Sequence, residues 1–250
     1  MRIPEKFVMT IQKTILVLLV LLNAHVLLAG CKELDGKQLD ELMIRSSLQS
    51  LPGGSGWIKP FRRECCVFDI TIHDLCATWS AEPAEGLKLN AQTGEYTVEP
   101  SVPAGSTFTI TINIQNDLKV LKTKLTVFTP QQNPFVRMWT EVAQIDCSTG
   151  KEFSPAVLIR EIEFHADGQF FVTWFPFEVY RDYWGTYTYD LQKGEITLSG
   201  LAGNHVPKDV DGTGAFEFRS DGLLLKDFWF GTHGGSLKEP VKKACGHLLR

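Results

Sequence analysis

Polar and apolar positions alternate along most of this chain. The clearest run is Phe108-Thr-Ile110-Thr-Ile112-Asn-Ile114, apolar at even positions and polar at odd ones. A period of two sends successive side chains to opposite faces, so this run predicts a strand with one face on a core and one in water. Leu125 and Val127 alternate in the same way with Lys124 and Thr126, and Phe68, Ile70 and Ile72 with Asp69, Thr71 and His73. Thr93-Gly94 and Ala104-Gly105 supply turns between runs. Helical spacing is absent here, and short strands with frequent turns predict a β-sandwich over residues 64–131.

Gln131-Gln-Asn-Pro134 marks a boundary, and beyond it the aromatic density rises. Strand candidates run from Met138 to Cys147, Leu158 to His165, Gln169 to Phe175, Tyr183 to Asp190, Glu195 to Leu201, Ala215 to Arg219, Leu223 to Phe230 and Ala244 to Leu249. Asp167-Gly168, Lys193-Gly194 and Asp221-Gly222 are turn dipeptides, and Asp-Gly suits tight hairpins that need positive φ. Seven or eight strands joined by hairpins predict a small up-and-down barrel over residues 134–250, a form that removes sheet edges by closing. The fold class expected is therefore all-β, a sandwich followed by a barrel.

The first thirty residues break this pattern. Arg2, Lys6 and Lys13 stand against Glu5, and an apolar run follows from Thr14 to Leu28, interrupted by Asn23 and His25. A spanning helix needs about 20 apolar residues. This shorter run ends in Leu28-Ala29-Gly30-Cys31 and reads as a secretory signal over residues 1–30. The tetrapeptide resembles the lipobox of bacterial lipoproteins. That resemblance implies cleavage before Cys31, diacylglycerol on its thiol and palmitate-type acylation, with the membrane as a partner through the lipid. Two or three acyl chains hold stably where one does not. Lys32 stands where an inner-membrane retention signal would carry Asp, which implies the outer membrane. Lys32-Glu33-Leu34-Asp35 also resembles the surface-export signal of Bacteroidetes lipoproteins.

Residues 31–63 read as a tether. Leu39, Leu42, Met43, Leu48 and Leu51 also allow one short helix, ended by Pro52-Gly53-Gly54-Ser55-Gly56.

Composition narrows the function. The 250 residues allow one large domain or two small ones, and 44% apolar content is too high for disorder. The formal charge is −4; loss of residues 1–30 removes Arg2, Lys6, Lys13 and Glu5, leaving 22 basic against 28 acidic residues, or −6. No basic excess is present to displace phosphate counterions, which excludes a dedicated nucleic-acid binder.

Two further resemblances follow from quoted stretches. Leu87-Lys-Leu-Asn-Ala-Gln-Thr-Gly94-Glu-Tyr96-Thr-Val98 with Pro103-Ala-Gly105-Ser-Thr-Phe108-Thr-Ile110 resembles the C-terminal half of bacterial immunoglobulin-like or cadherin-like domains. The acidic calcium linkers of cadherins are missing, so calcium is not carried over. Trp139, Ile162-Glu-Phe164-His-Ala-Asp167-Gly168-Gln-Phe170, Gly185-Thr-Tyr187-Thr-Tyr189 and Ile196-Thr-Leu198 resemble the lipocalin-like domains of bacterial lipoproteins, with Arg137 where a Gly would stand. The expected fold is thus an immunoglobulin-like sandwich followed by a lipocalin-like barrel. The expected function is non-catalytic binding in the cell envelope, the barrel taking a small hydrophobic molecule or a glycan. A protein-contact module, as inhibitor or subunit of a surface complex, is the alternative, and an enzyme the second alternative.

Candidate chemistry is sparse. The aromatic run from Phe170 to Trp184 either fills the barrel or stacks on a ligand at its mouth. Beyond Pro176, Tyr180, Tyr183 and Trp184 are the ligand candidates; Phe170 and Trp174 are the core candidates. Asp209-Val-Asp211-Gly212 lacks the distal Glu of a calcium loop, and the His residues show no ligand spacing, so no metal or other cofactor is expected. Nucleotide, hydrolase and metalloprotease motifs do not appear, so no catalytic residue is assigned, although Glu161, Glu163, Glu178 and Asp182 are available as a carboxylate pair. With Cys31 lipidated, five Cys remain. Cys147 and Cys245 lie on the first and last barrel strands, which closure makes neighbours, and this predicts a bridge between them. Cys76 is the candidate partner for Cys65 or Cys66.

Overall fold

The structure is a computed structural model and describes residues 30–45, 47–64, 68–175, 180–233 and 244–250. Two separate hydrophobic cores organise it, one built from residues between Leu34 and Val127 and one from residues between Phe135 and Leu249. The chain is almost entirely β.

The first core carries one short helix, α1 (Gly36–Asp40), and ten strands: β1 (Leu42–Met43), β2 (Ser47–Ser50), β3 (Ser55–Trp57), β4 (Phe61–Glu64), β5 (Phe68–Thr71), β6 (Ala77–Glu82), β7 (Leu87–Leu89), β8 (Glu95–Val98), β9 (Thr107–Ile114) and β10 (Lys119–Val127). They form three small sheets, β1-β4-β5, β2-β10-β9-β6 and β3-β8-β7. The alternation in β9 does what period two requires. Phe108, Ile110, Ile112 and Ile114 are all buried, and Tyr96, Val98, Leu125 and Val127 belong to the same core. Ile70 departs from its expected inward face and is 40% exposed.

The expected tether is not loose. Leu34, Leu39, Leu42 and Ile58 are buried in this core. Asp35 caps α1 by accepting from the Gln38 backbone N–H, and Gln38 reciprocates at the Asp35 N–H, a capping box. β2 adds to β10 as a parallel strand, with Leu48 opposite Leu125. Cys31 and Cys76 are joined by a disulfide in this structure, so the bridge and the acylation expected at Cys31 draw on the same sulfur. A sulfur bonded to sulfur offers no thiolate for a thioether.

The second core carries β11 (Arg137–Trp139), β12 (Glu141–Ile145), β13 (Glu152–Phe153), β14 (Glu161–Phe164), β15 (Gln169–Thr173), β16 (Tyr183–Asp190), β17 (Glu195–Gly203), β18 (Thr213–Arg219), β19 (Gly222–Lys226) and β20 (Gly246–Leu249). They make one curled, barrel-like sheet in the order β11-β14-β15-β16-β17-β18-β19-β20-β12-β13. A single bent segment, residues 137–145, serves both sides: β11 pairs with β14, and β12 pairs with β20. At the bend, Thr140 and Arg250 exchange backbone hydrogen bonds of 2.8 and 2.9 Å. Cys147 and Cys245 are disulfide-bonded beside this pairing.

Aromatic rings fill the second core. Phe135 meets Phe164 at 5.6 Å and Phe216 at 4.8 Å between centroids, and Phe164 meets Tyr187 at 4.8 Å. Tilted and edge-to-face contacts of this kind add about 0.5–1.5 kcal/mol each beyond area burial. The two halves touch along β2. The Ala166 N–H donates to Gln49 Oε1 at 2.9 Å, and Ser47 Oγ lies 3.4 Å from His165 Nδ1.

Candidate functional site

The candidate site is built mostly from the segment expected to be a tether, with Asp69 and Thr71 added from β5. β3 has Gly56 packed against the Tyr96 ring, where a Cβ would come within 3.0 Å of the hydroxyl oxygen. The neighbouring side chain must face the other way, and Trp57 is 62% exposed. The following turn is fixed from behind. The Ile58 N–H donates to the Gly94 carbonyl at 2.9 Å, and Trp79 Nε1–H donates to the Ile58 carbonyl at 2.9 Å. Gly94 has φ +70°, and a Cβ there would sit 2.5 Å from the Ile58 oxygen, so only glycine allows this approach.

Between these elements opens a cleft of about 310 Å³. Its more buried lining is apolar: Ile44, Leu48, Ile58 and Phe61. Its outer lining is Arg45, Trp57, Lys59, Asp69 and Thr71. Lys59 Nζ lies 5.9 Å from the Trp57 ring centroid and 3.4 Å from His73 Nδ1. Arg45 is exposed and forms no ion pair among the described residues, while its charge helps hold the Glu163 carboxyl below its ordinary range. The hydrogen bond from His165 is the main cause of that shift; Arg181, 2.8 Å away through Nη2, adds to it.

The sequence-assigned ligand residues do not converge. Tyr183 is fully buried in the core, and its hydroxyl donates to the Phe230 carbonyl at 2.9 Å. Burial holds its phenol well above the ordinary value. Trp184 follows it on β16 and therefore points the other way, 38% exposed. Tyr180 is 41% exposed, its phenol raised by burial and by the nearby Asp182 charge. Phe170 and Trp174 are core residues, as expected. Glu178 lies outside the described residues.

Several acidic groups of the barrel are engaged internally. Asp182 accepts from the Trp174 N–H at 2.8 Å. Asp209 accepts from Trp229 Nε1–H at 3.0 Å and from the Thr232 hydroxyl at 2.6 Å, so it pins a loop. Glu141 accepts from the Ile159 N–H at 2.8 Å and from Gln144 Nε2 at 3.0 Å, and His247 Nδ1 lies 2.5 Å away.

Sequence reasoning missed Arg45, Trp57, Lys59, Asp69 and Thr71. The available signal was Trp57, a large aromatic next to a glycine-rich stretch and followed by Lys59. The architecture defined by these features is an all-β chain with two cores and a mixed aromatic and charged cleft in the first. No family model matches the chain, and no curated protein matches it in sequence.

Proposed function

We propose that this is an exported, non-catalytic binding protein of the cell envelope, and that its ligand site is the Trp57 cleft. In this reading the first core is an immunoglobulin-like sandwich that carries the site. The second is a lipocalin-like barrel that acts as a rigid companion. The observation that carries the proposal is the contrast between the two halves: an open cleft beside an exposed Trp57, against an interior packed with Phe135, Phe164, Phe170 and Tyr187. Ligand sites are commonly small clefts that set placed polar groups beside an apolar lining, and here Arg45, Lys59 and Asp69 stand beside Ile44, Leu48, Ile58 and Phe61. Two disulfides suit an oxidising compartment, which agrees with the signal-like residues 1–30. The structural use of Glu141, Glu163 and Asp182 favours binding over carboxylate catalysis.

A glycan array tests the site. Binding by the wild-type chain is expected to vanish in Trp57→Ala and to persist in Trp184→Ala. The reverse pattern sinks the cleft and returns the site to the barrel surface.

The Leu28-Ala29-Gly30-Cys31 motif favours a second reading of the export route, in which Cys31 is acylated and the chain is anchored. Acylation and the bridge to Cys76 compete for one sulfur. Non-reducing peptide mapping of envelope material separates them: a Cys31–Cys76 peptide is the expected result. Palmitate label that disappears in Cys31→Ser would establish the anchored form instead, with Cys76 unbridged to Cys31.

A further inference from the structure

We propose that the cleft binds a carboxylate-bearing sugar of one or two rings, an inference that rests on the reading of the cleft as the ligand site. Its volume of about 310 Å³ stands at the lower end of ligand sites, about 300–1,000 Å³, so the ligand is small. The exposed indole of Trp57 offers a flat apolar platform, and the C–H face of a pyranose is its natural complement. Arg45 supplies a planar guanidinium fork without an internal ion-pair partner among the described residues, the geometry that receives a carboxylate through two parallel hydrogen bonds. Lys59 adds a second cation against the Trp57 ring. Asp69 and Thr71, two apart on β5, share one face of the strand; a carboxylate accepts from sugar hydroxyls, and a threonine hydroxyl both donates and accepts.

The charge pattern decides among ligand classes. The chain is acidic overall, yet its cleft sets two cations against one carboxylate. A local reversal of sign concentrates anions at that point. A neutral sugar has no use for both cations. Inorganic phosphate has no use for the indole face. A purely apolar ligand would strip water from Arg45, Lys59 and Asp69 without replacing it.

The test is calorimetry on the signal-free chain with three probes: digalacturonic acid, its dimethyl ester and inorganic phosphate. The acid is expected to bind, the ester at least tenfold more weakly, and phosphate weakly. Trp57→Ala and Arg45→Ala are each expected to weaken the acid at least tenfold. Both positions are exposed, so both variants are expected to keep the wild-type unfolding midpoint, which is measured alongside. Tyr180→Ala, on the second half, is expected to bind as wild type. Equal binding of acid and ester overturns the acidic assignment and leaves the cleft as a sugar site. Phosphate binding as tight as the acid's, with Trp57→Ala without effect, overturns the sugar. No binding of the acid overturns this proposal; the cleft reading falls with it only if array binding is also insensitive to Trp57→Ala.

Discussion

Glu141→Leu is expected to lower the unfolding free energy by about 3–5 kcal/mol, the cost typical of removing one partner from a buried charged or hydrogen-bonded group. Glu141 is 1% exposed and so is His247. One carboxylate receives the Ile159 N–H, the Gln144 amide and the His247 ring nitrogen. A carboxylate only accepts, so it fixes Gln144 with its nitrogen inward and His247 with Nδ1–H toward it. Leucine fills similar space and leaves three buried donors without an acceptor. Each orphaned donor costs about 1–3 kcal/mol. Because a domain's whole stability is about 5–15 kcal/mol, this one change removes a large share. Glu141→Gln keeps one oxygen acceptor and is expected to fall between the two. Urea unfolding of the three proteins measures the order. A Glu141→Leu loss below about 1 kcal/mol would mean that the triad is not a structural centre.

Removing the Cys147–Cys245 bridge, as the double alanine variant, is expected to cost about 2–5 kcal/mol and several degrees of melting temperature. The sequence separation of 98 is long, and in the loop-entropy account a cross-link gains with the length of chain it closes. The bridge also sits where β12 meets β20, so it holds the pairing that joins the curled sheet to its first strand segment. Calorimetric melting with and without the two substitutions gives the value. A change under about 1 kcal/mol would show that the native pairing of β12 and β20 needs no covalent help.

Local chemistry was legible where it was periodic. The Tyr183–Asp190 strand has the bounds its alternation gives, and Gly168 and Gly194 have the positive φ that their turn dipeptides imply. The β9 core face follows directly from Phe108 to Ile114. The Cys147–Cys245 bridge followed from strand order. What failed was non-local. β2 joins β10 across more than 70 residues, and a four-residue parallel strand leaves no period to read, so residues 31–63 looked like a tether. Cys31 finds Cys76 only because that segment folds back. Tyr183 and Trp184 share the aromatic run beyond Pro176, yet adjacent strand residues face opposite ways, and one is buried while the other is exposed. The cleft draws Arg45, Trp57, Lys59 and Asp69 from several short elements, none of which announces a site alone.

The shared segment at residues 137–145 sets the order of events when the chain emerges. β11 can pair with β14 early, since its partner arrives soon after it. β12 must wait for β20, whose His247 stands 106 residues after Glu141. Until then the Glu141 carboxylate lacks His247, and Cys147 lacks its partner. Long-range closure of this kind is slow and leaves strand edges open in the interval. A chain made amino end first therefore carries its second half unclosed until its last strand is present. The first core, whose members all precede Phe128, is free to fold while that half is still open.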